Sequence, residues 1–331
     1  MSLAEELRAD AEALERSGDR SRAHEKWLAA AREDGRSIRI LNGLGRSHML
    51  LGHLAEAEAI LRQSSLLDPE DGESLWLLGF VLHSQGRLDD ARSALERGLA
   101  KREWSTARIM LGEVCWRLGD SNSALPHYER ALVDAPNDPS GWYGMGMVVK
   151  DVSADRAAQL FRKAIAVDPQ YWLAHRELGW ILSHSKRYDE AERCLRDAVR
   201  LAPEDAMSHA YLGIVLAFLD RWVEAEHESR TAVRMEPGNA LYRCNWADAL
   251  TALGRTQEAE VEYRSALAID VNYYLANLRY GQFLERQGRL SKARTYLERT
   301  LAFDPHNARA KDALERIARA APRNGQNDSR S

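Results

Sequence analysis

Alanine returns at one register of this sequence nine times, at Ala23, Ala57, Ala91, Ala124, Ala157, Ala191, Ala225, Ala259 and Ala293. The interval is 34 residues, shortened to 33 at two steps. A second ladder of small residues keeps step with it: Ala11, Gly45, Gly79, Gly112, Gly146, Gly179, Gly213, Ala247 and Gly281. A fixed period of this length means one supersecondary unit stacked on copies of itself. Two ladders in register leave little room for any other fold.

Each unit carries two helical patterns. Between them stands a short turn, marked by glycine at Gly18, Gly52, Gly86, Gly119, Gly254 and Gly288, where a left-handed residue can end a helix. Lys186 and Asp220 fill the same slot in two units, so those turns are expected to close in another way. After the second helix a proline often follows, at Pro69, Pro136, Pro169, Pro203, Pro237 and Pro305. It stops one helix and suits the first turn of the next. The small residues are expected at the crossing of the two antiparallel helices, where close approach needs little side chain. Glycine inside a helix costs about 0.5–1 kcal/mol against alanine, so its recurrence predicts a contact too tight for a methyl group. Trp27, Leu61, Leu95, Tyr128, Phe161, Leu195, Tyr263 and Leu297 lie four residues after a ladder alanine, on the same helical face.

These features together resemble the tetratricopeptide repeat, a 34-residue helix–turn–helix. Trp142 to Gly146 with Ala157, Phe161, Ala164 and Pro169 come close to its full signature within one unit. Nine units start near Ala4, Ile38, Gly72, Ser105, Pro139, Trp172, Ala206, Ala240 and Tyr274. The resemblance implies an all-α, right-handed superhelical solenoid. Its expected extent is 1–321, with repeats over about 4–307, a capping helix over 308–321 and a disordered polar tail over 322–331. Unit one departs from the pattern at Asp10 and Gly35, as a wet N-terminal cap would. Unit eight has Trp246 and Ala247 for Leu-Gly, and Val271 for Pro. Unit five loses a residue near "KDVSADRAA", which predicts a tighter turn or a shorter helix, and Arg102 takes a proline slot at the other contraction.

The same resemblance implies that the first helices line a concave face that binds peptides or partner helices. Counted from each unit start, first-helix positions 2, 5, 9 and 12 point away from the seam. Unit two offers Arg39, Asn42, Arg46 and Met49, and unit seven offers Met207, Ala210, Ile214 and Ala217. Units eight and nine turn polar, with Asp248, Thr251, Gln282 and Glu285. Between lies an apolar stripe of Trp76, Phe80, Trp116, Tyr143, Met147, Trp180 and Ile214. Contiguous exposed apolar surface often marks a partner site, and Trp and Tyr are frequent anchors. Aromatics here can equally pack against the adjacent repeat. Arg39 and Arg46 would suit acidic residues on a ligand. The family's clamp for a C-terminal carboxylate is not matched, since its slots hold Asn42, Arg46, Trp76, Phe80, Ile109 and Glu113.

Other classes fare worse. A net charge of −4 and a pI near 6.2 lack the basic footprint of nucleic-acid binders. The N-terminal residues do not read as a signal peptide. The longest apolar run, "YLGIVLAFL", is too short to span a bilayer, which needs about 20 residues. Cys115, Cys194 and Cys244 form no C-x-x-C pair and fit a reducing cytoplasm. His175 and His209 recur at one repeat position and read as packing residues. Asp89 and Asp90 sit at a helix start, where they favour the helix dipole. There is no Walker loop, G-x-S-x-G or H-E-x-x-H. The expectation is therefore a cytoplasmic, non-enzymatic scaffold or adaptor without cofactor or metal, gripping an apolar or aromatic peptide or helix. The alternatives are an accessory subunit of a glycosyltransferase-type system and a homo-oligomer paired through the stripe.

Overall fold

The computed structural model describes residues 2–320. Ala321 of the expected capping helix and the expected tail, 322–331, lie outside the described residues. The rest forms two compact units that divide after Pro169, each a run of antiparallel helix pairs with no strand among the described residues.

In unit 1 the pairs are α1 (Leu3–Ser17) with α2 (Arg20–Glu33), α3 (Ile38–Leu50) with α4 (Leu54–Leu67), and α5 (Gly72–Ser84) with α6 (Leu88–Lys101). Then come α7 (Ser105–Arg117) with α8 (Ser121–Asp134), and α9 (Pro139–Val149) with α10 (Ala154–Val167). Unit 2 pairs α11 (Trp172–His184) with α12 (Tyr188–Leu201), and α13 (Ala206–Phe218) with α14 (Trp222–Met235). It continues with α15 (Ala240–Ala252) and α16 (Thr256–Ile269), α17 (Tyr274–Arg286) and α18 (Leu290–Phe303), and ends on α19 (Ala308–Ala320). The lost residue of unit five shortens its first helix: α9 has 11 residues where its counterparts from α3 onward have 13.

The ladders meet as the spacing requires. Every ladder alanine is buried. A methyl group at Gly146 would sit 2.5 Å from Phe161 Cε1, at Gly45 2.6 Å from Leu61 Cδ2, and at Gly179 2.6 Å from Leu195 Cγ. At the six ladder glycines Gly45, Gly79, Gly112, Gly146, Gly179 and Gly281 the large residue four places after the alanine lies on the glycine of its partner helix, Ser229 takes that place against Gly213, and the core is a seam inside each pair. A third ladder, seven residues past the alanines, was not legible as such. Ala30, Ser64, Ala131, Ala164, Ala198, Ala232, Ala266 and Thr300 on it are all buried. Ser64 keeps its hydroxyl there because it donates to Asn42 Oδ1 at 2.8 Å, while Asn42 Nδ2 donates to Asp71 at 2.8 Å.

All six turn glycines have positive φ. Lys186 and Asp220 do not close their turns differently: they take the same left-handed conformation, with φ of 59° and 57°. Keeping the turn geometry outweighs the local strain of a Cβ there. Asp89 and Asp90 lie in the first turn of α6 as expected. Cys115 and Cys244 are buried free thiols, and burial pushes Cys244 up to about 12, so it is inert near neutral pH. No helix of the described residues is long and apolar enough to cross a membrane.

Candidate partner-binding faces

Within each unit the first helices of neighbouring pairs touch: α3, α5, α7 and α9 in sequence in one, and α11, α13, α15, α17 and the final α19 in the other. No two second helices make comparable contact. Each unit therefore has one face walled by first helices. The stripe is shared between them, with Trp76, Phe80, Trp116, Tyr143 and Met147 in unit 1 and Trp180 and Ile214 in unit 2.

Every apolar member of the stripe is half-buried. In unit 1, Trp76 leans on Trp104 with ring centroids 6.2 Å apart, and its indole Nε1 is buried without a hydrogen-bond partner. Tyr143 packs 5.7 Å from Phe161. The two arginines differ. Arg39 is exposed, whereas Arg46 is held between Glu15 at 3.2 Å and Glu73 at 3.5 Å, so an acidic ligand would have to compete for it. On the same wall the His83 imidazole, 3.2 Å from Glu113, outweighs burial and holds that carboxyl below its ordinary range.

In unit 2, Trp180 stacks on Tyr211, centroids 4.2 Å apart and planes 14° from parallel. Ile214 borders a recess of about 680 Å³. One wall is apolar, formed by Ile214, Ala217 and Phe218, the last 59% exposed. The lining also has polar members, Asp248, Thr251, Arg279, Gln282 and Arg309 among them. Asp248 is the hub. It accepts from Tyr263 at 2.5 Å and pairs with Arg279 at 2.9 Å. Burial and then the Asp248 charge push the Tyr263 phenol up, so it remains a donor. Arg279 also donates to Asn245 Oδ1 at 2.8 Å. That bond fixes which end of the amide is oxygen and leaves Asn245 Nδ2 buried with no partner. An unpaired buried donor at a recess costs about 1–3 kcal/mol until an acceptor meets it.

Of first-helix positions 9 and 12, Ile214, Ala217, Asp248, Thr251 and Gln282 line the recess. At position 5, Asn42, Ala210, Cys244 and Leu278 are buried and offer no open surface. Asn245, Arg279 and Phe218 were missed. A buried-position asparagine one repeat before an arginine at the same register, 245 and 279, was the available signal. His209 is a packing residue with polar ends, bonded to Glu228 at 2.6 Å and to the Pro203 carbonyl at 3.0 Å. These bonds outweigh burial and raise its pKa.

A family model for the tetratricopeptide repeat matches residues 8–64 and 44–107, and a second matches 250–317. Residues 108–236 match the middle TPR-like domain of cilia and flagella-associated protein 70. No curated protein sequence matches the chain. Among solved structures it is similar to the APC/C hetero-tetramer Cut9–Hcn1, at 17% identity and a TM-score of 0.65, covering 90% of this chain and 59% of that one. It is also similar to Pseudomonas aeruginosa pilF, at 20% identity and a TM-score of 0.56 over 64% of this chain and 97% of that one. PilW, described as a type IV pilus biogenesis factor, gives 18% and 0.56 over 63% and 98%. At these identities the likeness is one of fold. With repeat models matching residues 8–236 and 250–317 and nineteen helices in consecutive pairs among the described residues, the chain belongs to the tetratricopeptide repeat family.

Proposed function

We propose that the protein is a non-enzymatic interaction scaffold that grips an apolar or aromatic segment of a protein partner on its first-helix faces, with the recess of unit 2 as the main anchor. The observation that carries this reading is the recess itself. Its lining combines apolar Ile214, Ala217 and Phe218 with polar residues, and Asn245 Nδ2 lacks an acceptor. A peptide offers both complements at once, an apolar side chain for the wall and a backbone carbonyl for the amide. In unit 1, Phe80, Trp116 and Met147 would offer an apolar contact of their own, and exposed Arg39 could meet an acidic residue. A preformed wall loses little entropy on binding. Buried free thiols at Cys115 and Cys244 suit a cytoplasmic setting.

The test is selection of peptides from a displayed random library on the full chain. Enriched peptides should carry aromatic or branched apolar residues, and should bind Ile214→Ser and Asn245→Leu at least tenfold more weakly. Leu66→Ser, on an exposed side chain of α4, should bind like the parent. Failure to enrich any sequence, or equal binding to both recess variants, would overturn the reading. If light scattering shows a mass that grows with concentration and falls back in Ile214→Ser, the face pairs with a second copy instead.

A further inference from the structure

Neighbouring second helices are tied by a recurring clamp. The residue after a ladder alanine meets the residue four before the next one: Glu58 with Arg87 at 2.8 Å, Glu192 with Arg221 at 2.6 Å, Glu226 with Arg255 at 3.4 Å and Glu260 with Arg289 at 2.8 Å. Arg92 and Asp120, 3.7 Å apart, make the same clamp with the charges exchanged. At the first junction both slots are histidine, His24 and His53.

Two more departures converge on that point. His48 takes a register held elsewhere by buried Leu82, Leu182, Leu216, Leu250 and Leu284. Ser47 takes one held by buried Val81, Val114, Val148, Ile181 and Val215. A leucine slot given to histidine lowers stability unless the imidazole has work to do, and His48 is only 9% exposed with Nδ1 unpartnered.

The three rings gather. Centroids are 4.6 Å apart for His24 and His48, 5.8 Å for His48 and His53, and 6.2 Å for His24 and His53. One ring nitrogen from each lies within 4.8 Å of the others. A four-coordinate ion with metal–nitrogen bonds of about 2.0–2.1 Å sets its ligand nitrogens roughly 3.4 Å apart. Exposed His53 can close that gap by rotating its side chain. His24 Nδ1 lies 3.0 Å from Ser47 Oγ. With the serine oxygen accepting the Nδ1 proton, the lone pair is left on Nε2, the kind of outer-shell bond that orients metal-ligating imidazoles.

We propose that His24, His48 and His53 bind one divalent transition-metal ion of the Zn2+ class, which ties repeats one and two together in place of the ion-pair clamp. Three neutral imidazoles suit Zn2+, Co2+, Ni2+ and Cu2+ and disfavour Mg2+ and Ca2+. The fourth coordination position opens toward solvent on the side of His53. Binding would stabilise this junction alone, by mass action on the folded state.

The test uses the full chain without a polyhistidine tag, stripped with chelator and titrated with Zn2+ by calorimetry and with Co2+ by visible absorption. The control is the triple variant His24→Glu, His48→Leu, His53→Arg, which restores the residues typical of the other junctions and is expected to fold. The parent should take up one equivalent of Zn2+ and show the intense visible bands of four-coordinate Co2+. His53→Gln, altered only at an exposed side chain, should weaken binding at least tenfold, and the triple variant should abolish it. Zn2+ should raise the melting temperature of the parent and leave that of the triple variant unchanged. No saturable uptake by the parent, or equal uptake by the triple variant, would overturn the proposal.

Discussion

The seam inside each helix pair and the junction between pairs obey different rules. Inside the pair the same contact is made again and again, a small residue against a large one, with methyl-scale tolerance. Between pairs the chemistry changes from one junction to the next. It is a Glu–Arg clamp at four, a reversed clamp at Arg92 and Asp120, and a histidine cluster at the first. Where the slots are Leu125 with Ser153, a clamp of this kind has no acid to build on. A stacked-repeat protein separates intrinsic repeat stability from nearest-neighbour coupling. Here the first resides in an invariant seam and the second in a variable one. The invariant part sets the fold, and the variable part is where this chain is individual.

If that division holds, substitutions in the seam should act strongly and those in the clamps weakly. The largest effect is expected for Leu95→Ala, which empties the space against Gly79. Truncating a fully buried leucine costs about 2–5 kcal/mol. Hydrogen exchange in the native state should show faster opening of α5 and α6, with distant pairs unchanged. A loss spread evenly over the chain would mean that the pairs are not separable units. Next comes Gly146→Ala, whose new methyl would lie within 2.5–2.9 Å of three Phe161 ring atoms. Overpacking of this kind costs about 1–3 kcal/mol, read as a lower urea midpoint at unchanged slope.

The seam was legible because it repeats. Six copies of one contact leave a periodic trace in the sequence, and Gly45 on Leu61 could be inferred from spacing alone. Departures such as Lys186 and Asp220 were legible as departures, but their outcome was not. Whether a turn changes shape or strains its residue depends on the packing around it. The first-helix face was half legible. Helical geometry gives the direction of Ile214 and Asp248, but the burial of Ala210 and Cys244 depends on how closely the next repeat sits. Asn245 with Arg279, and His24 with His53, could not be paired from one helix. Each contact joins two repeats, and only register across the turn brings them together.

The left-handed turns offer a smaller, opposite effect. Lys186→Gly removes the strain of a Cβ at φ 59° and raises unfolded-state entropy. The strain relieved is about 1–2 kcal/mol and the entropic loss about 0.5–1 kcal/mol, so a net gain of about 0.5–1 kcal/mol is expected. Urea unfolding of Lys186→Gly should show it, and a loss would mean that the lysine side chain makes a contact worth more than its strain.

The smallest effect is expected at the clamps, and it should depend on pH. Burial alone would raise the pKa of Glu58, but hydrogen bonds from Arg62, Arg87 and Gln85 outweigh it and hold the carboxyl at about 2. A carboxyl depressed in the folded state stabilises above its unfolded pKa and loses that contribution as pH falls through the folded value. Glu58→Gln should therefore lower stability modestly at pH 7, by no more than about 1 kcal/mol, as other exposed ion pairs do. The gap between parent and variant should narrow as the pH falls from about 4.5 toward 2, and high salt should shrink it at neutral pH. Equality of the two proteins at neutral pH would show that the clamp orders the surface without coupling the repeats. A gap that persists at pH 2 would mean that Glu58 acts through packing of its stem and not through its charge.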